Sequence, residues 1–126
     1  MKALSVKQPW AWLIASGRKS IETRLWNTHY RGDLLIVSSK KLDTDNVMEN
    51  FYEKYGILVT MNLQLGKALC IANLVDCRQM TKEDEEVACC ELYDGTWGWV
   101  FENVRRIKPF PVKGSLGLYN VQIEDY

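Results

Sequence analysis

Residues 33–39, DLLIVSS, place four consecutive apolar residues between polar ends. A short apolar run bounded in this way is typical of a β-strand that is covered on both faces. We therefore predict a central strand here. The segments on either side of it indicate what kind of sheet it joins.

On the amino-terminal side, the pattern predicts a strand, a short helix and a second strand. Residues 2–6 fit the first strand, and Pro9 fits the first turn of a helix because it lacks an N–H group that this turn leaves unbonded. Residues 20–26 then alternate between apolar and polar side chains. This alternation places Glu22 and Arg24 on the same strand face, about 7 Å apart.

On the carboxyl-terminal side, the pattern predicts further helices and strands. The helices cover residues 43–55 and 81–90, and the strands cover residues 68–75, 96–107 and 116–123. About six strands with short helices between them predict an α+β fold that is mostly β, with a small, strongly curved mixed sheet or barrel.

The composition describes one small globular domain. The chain has 126 residues, of which 47% are hydrophobic and 25% charged, so residues 1–126 fit a single domain with its own core. The first residues lack the apolar run of a signal peptide, and no window is apolar enough for a membrane helix. We expect a cytoplasmic protein with no membrane partner.

The cysteines and the single histidine argue against a metal centre. Cys70, Cys77, Cys89 and Cys90 have no C-x-x-C spacing, and His29 has no second histidine to join it on a metal ion. We predict reduced thiols, no metal site and no cofactor. A histidine-based catalytic triad is disfavoured for the same reason.

Charge is unevenly distributed although the net charge is zero. Residues 1–41 hold eight lysines and arginines against Glu22 and Asp33, a net charge of +6, which the rest of the chain balances. A basic third of this kind can hold an anionic ligand, although well-solvated surface charge is an alternative. The acidic stretches 43–53 and 83–91 offer another alternative, a protein-interaction module.

The strongest candidate site lies around the predicted second strand. Lys19, Glu22 and Arg24 can converge on one pocket, with residues 38–41 at its rim, among them Ser39 and Lys40. Two cations beside a carboxylate suit a ligand that combines a phosphate with the hydrogen-bonding edge of a base. We expect Lys19 to lie in a solvated cleft, so that Lys19→Ala weakens an anionic ligand with little change in stability. The alternative is a structural salt bridge of Glu22 with Arg24 and Arg31.

The start of the first helix supplies two more candidates. Gln8 and Trp10 lie where free backbone N–H groups can meet an anion, and the Trp10 ring could stack on a base or belong to the core. Trp97 and Trp99 share one face of the aromatic strand, where they can be core residues or a stacking platform.

Several motifs along the chain resemble the ASCH domain, a family named for homology to activating signal cointegrator-1. They are SVxQPWA at residues 5–11, GxKxxExRxWxT at 17–28, RGxL at 31–34, WVFENV at 99–104 and KGxxGLY at 113–119. The resemblance covers nearly the whole chain. It implies a PUA-like β-barrel with a cleft between barrel and helices. It also implies binding of RNA, another single-stranded nucleic acid or a modified nucleoside.

The resemblance also raises the possibility of catalysis. Some ASCH proteins are amidohydrolases that act on N4-acylated cytidine through a Lys-x-x-Thr motif, and others are associated with ribonuclease activity. Here residues 19–22 read KSIE, so glutamate replaces the expected threonine. Thr23 is adjacent but is predicted on the opposite strand face. Lys19 and Glu22 remain candidates for acid–base chemistry, and whether the chain is an enzyme stays open.

Overall fold

The computed structural model describes residues 1–42 and 63–123. The strands are β1 (Lys2–Gln8), β2 (Ile21–Arg24), β3 (Gly32–Leu42), β4 (Lys67–Gln79), β5 (Trp97–Pro111) and β6 (Leu118–Asn120). The helices are α1 (Trp10–Ala15), a 3-10 turn (Lys82–Asp84) and α2 (Glu85–Ala88). The helix predicted over residues 43–55 lies outside the described residues. In the described part of the chain, no helix has the length and apolar character needed to cross a membrane.

The six strands of the described residues form one mixed sheet in the order β2-β5-β4-β3-β1-β6. Strand β1 runs parallel to β3, and the other neighbours are antiparallel. The pairing of β4 with β5 shifts register at three places, and such bulges increase the local twist and bend a sheet. The sheet curls into a half-barrel, which confirms the predicted mostly β, α+β fold.

Strand β3 is covered on both faces, as its apolar run predicts. Leu34 and Ile36 are fully buried in a cluster that includes Trp99 and the inner side of α1. Leu35 and Val37 are equally buried in a second cluster. Because successive side chains of a strand point to opposite faces, these two clusters lie on opposite sides of the sheet.

Strand β2 is shorter than its alternating pattern predicts, because the chain bends after Arg24. The bend brings the Trp26 carbonyl within 3.1 Å of the Trp99 indole nitrogen, which donates a hydrogen bond to it. The two rings meet edge to face, with their centroids 4.7 Å apart. A buried indole N–H needs an acceptor, and the bend supplies one. Trp99 is therefore a core residue, and Trp97 packs partly buried against the same cluster.

The capping box predicted at Thr81 and Asp84 is confirmed. The Asp84 carboxylate accepts a hydrogen bond from the Thr81 backbone nitrogen at 2.9 Å. It also accepts two hydrogen bonds from the Arg78 guanidinium, at 2.7 and 2.9 Å. The hydrogen bonds from Arg78 are the main reason that the pKa of Asp84 falls to about 2.

We predict that Asp84→Asn lowers the free energy of unfolding at pH 7 by about 1–2 kcal/mol, since Arg78 is partly exposed and solvent weakens the pair. The folded-state pKa of Asp84 is depressed, so its contribution is fully present above the unfolded pKa and is lost as pH falls from about 5 through about 2. Urea unfolding across this range should show the difference between parent and variant shrinking. Glu86→Gln, at an exposed carboxylate of α2, is the control. A constant difference at every pH would contradict the assignment.

Candidate functional site

A cleft of about 900 Å³ lies at the seam where the two ends of the curled sheet approach each other. Strand β2 is at one end of the sheet, and β1 is next to the other end. The Arg24 guanidinium on β2 crosses this seam and donates a hydrogen bond to the Ser5 carbonyl on β1 at 2.7 Å. The cleft is therefore a product of curvature, because a flat sheet would hold these strands far apart.

Most of the predicted site residues line this cleft. They are Trp10, Lys19, Glu22, Arg24, Ser39 and Lys40. Gln8 is not among the lining residues, because its side chain is used inside the fold. Its amide nitrogen donates to the Gln64 carbonyl, and its amide oxygen accepts from the Trp12 backbone nitrogen, both at 2.8 Å. Gln8 thus fixes the first turn of α1 to the chain near residue 64.

Lys19 forms part of the cleft floor, and only 1% of its side chain is exposed. Its ammonium donates to the carbonyl of Ala88 and lies 3.5 Å from the Glu22 carboxylate. It also lies 5.1 Å from the centroid of the Trp10 ring. The expectation that Lys19 sits in a solvated cleft is wrong, because α2 folds over this position and supplies a backbone acceptor.

Glu22 lies between two cations. One carboxylate oxygen faces Lys19, and the other lies 3.1 Å from the Arg24 guanidinium. The pairing of Glu22 with Arg24, expected under the structural alternative, is therefore present. Arg31 does not join it and lies 3.8 Å from Asp76 instead. Arg24 Nε is buried and has no hydrogen-bond partner in the described part of the chain.

The cleft rim carries exposed lysines from three separate segments. Lys7 comes from β1, Lys40 and Lys41 from the end of β3, and Lys113 from the loop between β5 and β6. With Lys19 and Arg24, the described lining has six cationic side chains against the carboxylate of Glu22, a net charge of +5. A concave surface with this charge attracts anions.

Sequence reasoning did not identify Lys7, Lys113 or Tyr93 as part of the site. Lys7 falls where the pairing of β1 with β3 shifts register, and no periodicity in the sequence marks such a shift. Lys113 lies within the KGxxGLY motif, which was the only available signal for it. Tyr93 follows α2, and its sequence neighbours carry no ligand-binding pattern.

Thr23 also borders the cleft, although strand alternation predicts it on the opposite face. Its hydroxyl lies 3.8 Å from the Cys90 sulfur. Burial raises the pKa of the Cys90 thiol, so this thiol stays protonated at neutral pH and is a poor nucleophile. The predicted absence of a metal site stays a prediction. Within residues 1–42 and 63–123, no three His, Cys, Asp or Glu side chains are grouped to hold one.

Comparison with known proteins gives consistent matches. The ASCH domain model matches residues 4–111. Activating signal cointegrator 1 of Homo sapiens is 28% identical over 120 residues, which cover 89% of this chain and 21% of that protein. The Mus musculus protein is 27% identical with the same coverage. This chain therefore spans only a small part of the length of these relatives.

Among solved structures, the crystal structure of a mutant ZmASCH protein from Zymomonas mobilis matches with a TM-score of 0.59. The match covers 96% of this chain and 89% of that chain, at 12% sequence identity. At this identity the likeness concerns the fold alone.

We predict that Lys19→Met lowers the free energy of unfolding by about 2–4 kcal/mol, because it leaves the Ala88 carbonyl without its donor and Glu22 with Arg24 alone. Chemical denaturation measures this loss. The double variant Lys19→Met/Glu22→Leu should cost at least about 1 kcal/mol less than the sum of the single variants, since the two side chains interact directly.

Lys7→Met is the control, because it removes an exposed lysine from the rim of the same cleft and should change stability by less than about 0.5 kcal/mol. Equal stability of Lys19→Met and the parent would show that the buried contacts of Lys19 contribute nothing to folding.

Proposed function

The chain belongs to the ASCH domain family, and from this premise we propose that it binds RNA or a nucleotide in the basic cleft. The observation that carries the proposal is the charge of the described lining, six cations against a single carboxylate in a cavity of about 900 Å³. Contacts to phosphates supply a large part of the affinity in protein–nucleic acid complexes. A positively charged concave surface attracts these phosphates.

The proposal assigns different roles to the rim and the floor. The rim lysines Lys7, Lys40, Lys41 and Lys113 are exposed, so their ammonium groups are available to phosphates. On the floor, the carboxylate of Glu22 holds Lys19 and Arg24 in place. Each carboxylate oxygen has a second lone pair, so Glu22 can still accept a hydrogen bond from a base. Phosphate binding at the rim and base contact at the floor would together favour nucleotides over inorganic anions.

The enzymatic alternatives stay predictions. Lys19 and Glu22 are neighbours on the cleft floor, and Thr23 lines the same cleft, so these groups meet the minimum for acid–base chemistry. Release of cytidine from N4-acetylcytidine, lost on Glu22→Gln in a folded variant, would support the amidohydrolase. Cleavage of RNA during the binding assay would support the ribonuclease.

The protein-interaction alternative concerns the acidic stretches. Residues 43–53 lie outside the described residues. In residues 83–91, Glu83 and Glu86 are exposed, whereas the Glu85 carboxylate accepts a hydrogen bond from the Leu92 backbone nitrogen at 2.6 Å. Part of this acidic charge therefore serves the local fold. A pull-down that nuclease treatment leaves unchanged would favour this alternative.

We predict that a labelled single-stranded RNA binds with an affinity that falls as salt rises. The triple variant Lys7→Ala/Lys40→Ala/Lys113→Ala should lower the slope of log Kd against log salt concentration by about 2, since each lost phosphate contact on a single strand contributes about 0.7. Fluorescence anisotropy over a salt series measures both slopes.

Lys82→Ala/Arg106→Ala/Lys108→Ala is the matched control, because it removes three positive charges at exposed residues that do not line the cleft. The control should keep the parent slope. If the parent binds no RNA, single-stranded DNA or nucleotide at low salt, or if the control loses as much slope as the rim variant, the proposed cleft is wrong.

A further inference from the structure

Two exposed apolar side chains line the cationic cleft. Several large apolar side chains of the described chain are exposed, but of these only Tyr93, at 49%, and Leu116, at 95%, also line the cleft. Apolar surface that folding leaves in water beside a cavity is a feature of ligand sites. These two residues therefore bear on what the cleft holds.

Tyr93 belongs to the wall on the β2 side of the seam. It follows α2, which is attached to the start of β2 by a hydrogen bond from the Ser20 backbone nitrogen to the Val87 carbonyl at 3.0 Å. The Tyr93 carbonyl accepts a hydrogen bond from the Thr96 hydroxyl at 2.7 Å, and Thr96 is itself buried. This bond fixes the backbone of Tyr93 while about half of its side chain stays in solvent.

Leu116 belongs to the opposite wall, in the loop that joins β5 to β6. Gly114 allows this loop to approach β1 closely. A Cβ atom at this position would lie only 3.0 Å from the Ser5 hydroxyl oxygen. Gly117 then turns the chain with a φ of +64°, a backbone conformation that residues other than glycine rarely adopt. Leu116 lies between the close approach at Gly114 and the turn at Gly117, and its side chain is in solvent.

We propose that Tyr93 and Leu116 hold one unpaired nucleobase between them, so that the cleft selects single-stranded over double-stranded nucleic acid. This inference rests on the proposed function, in which the rim lysines hold the phosphates. An aromatic ring stacks on the flat face of any base, and an aliphatic side chain can cover the other face. In a duplex both faces are already stacked, so the base is not available.

The surrounding charge favours a base over an apolar peptide as the occupant. Lys113 is close to Leu116 in the same loop, and Lys40 and Lys41 line the same cleft. An apolar peptide side chain would have to enter past these ammonium groups without offering them an anion. A nucleobase arrives attached to a phosphate, so one ligand satisfies both the apolar pair and the lysines.

The test compares oligouridylate with an abasic ribose-phosphate oligomer of the same length. The two ligands share their phosphates and differ in their bases. The parent should bind oligouridylate about 5- to 100-fold more tightly. Tyr93→Ala should remove most of this preference while keeping the salt slope of the parent, and Leu116→Ser should reduce it. A duplex RNA should bind the parent more weakly than either single strand of it.

Leu92→Ala is the matched control, since Leu92 is an exposed neighbour of Tyr93 that does not line the cleft. It should keep the full preference for oligouridylate. Leu116→Ser should unfold thermally at the temperature of the parent, because the Leu116 side chain is almost wholly in solvent. The side chains of Tyr93 and Leu92 are half-buried, so thermal unfolding checks that their variants are folded at the temperature of the binding assay.

The outcomes separate this inference from the proposed function. Equal, salt-dependent binding of both oligomers by the parent would overturn the base clamp and leave the basic cleft intact. A preference for oligouridylate that persists in both Tyr93→Ala and Leu116→Ser would also overturn the base clamp and leave the basic cleft intact. Failure of the parent to bind either oligomer at low salt would overturn both.

Discussion

The position of the Glu22 carboxylate between Lys19 and Arg24 is the interaction on which the rest of the site depends. Lys19 is tied to the Ala88 carbonyl of α2, and Arg24 is tied to the Ser5 carbonyl of β1. Through these two cations, one carboxylate connects α2, the edge strand β2 and strand β1, which is next to the other end of the sheet. Because these groups are largely buried, removing one of them would leave a buried charge without its partner. Such a loss strongly destabilises a fold.

This arrangement divides the cleft into a floor that stabilises the fold and a rim that is exposed to solvent. The floor cations contact protein groups, whereas the rim lysines, Leu116 and about half of the Tyr93 side chain remain in solvent. Under the proposed function, a ligand meets a preformed floor and an adaptable rim. Substitutions at the rim can then change the affinity for a ligand without lowering the stability of the fold, because most surface substitutions have little effect on the free energy of unfolding.

Curvature explains why the site exists at all. The ends of an open sheet normally lie far apart, but the register shifts along β4 and β5 bend this sheet until β2 approaches β1. The cleft is the gap that this incomplete closure leaves. Segments from distant parts of the chain reach its edges. The loop between β5 and β6 supplies Lys113, Ser115 and Leu116, and the segment after α2 supplies Cys90 and Tyr93.

The sequence by itself determined the features that depend on neighbours along the chain. Alternation placed Glu22 and Arg24 on one face, the run at residues 34–37 gave a strand buried on both sides, and Thr81 with Asp84 gave a capping box. Only the tertiary structure decided that Lys19 is buried and that Gln8 supports α1. It also decided that Lys7 and Lys113 belong to the cleft. The reason is the distance along the chain between the interacting residues. The acceptor of Lys19 is 69 residues away, and that of the Gln8 amide is 56 residues away. Local periodicity carries no information about which distant carbonyl a side chain will meet once the sheet has curled.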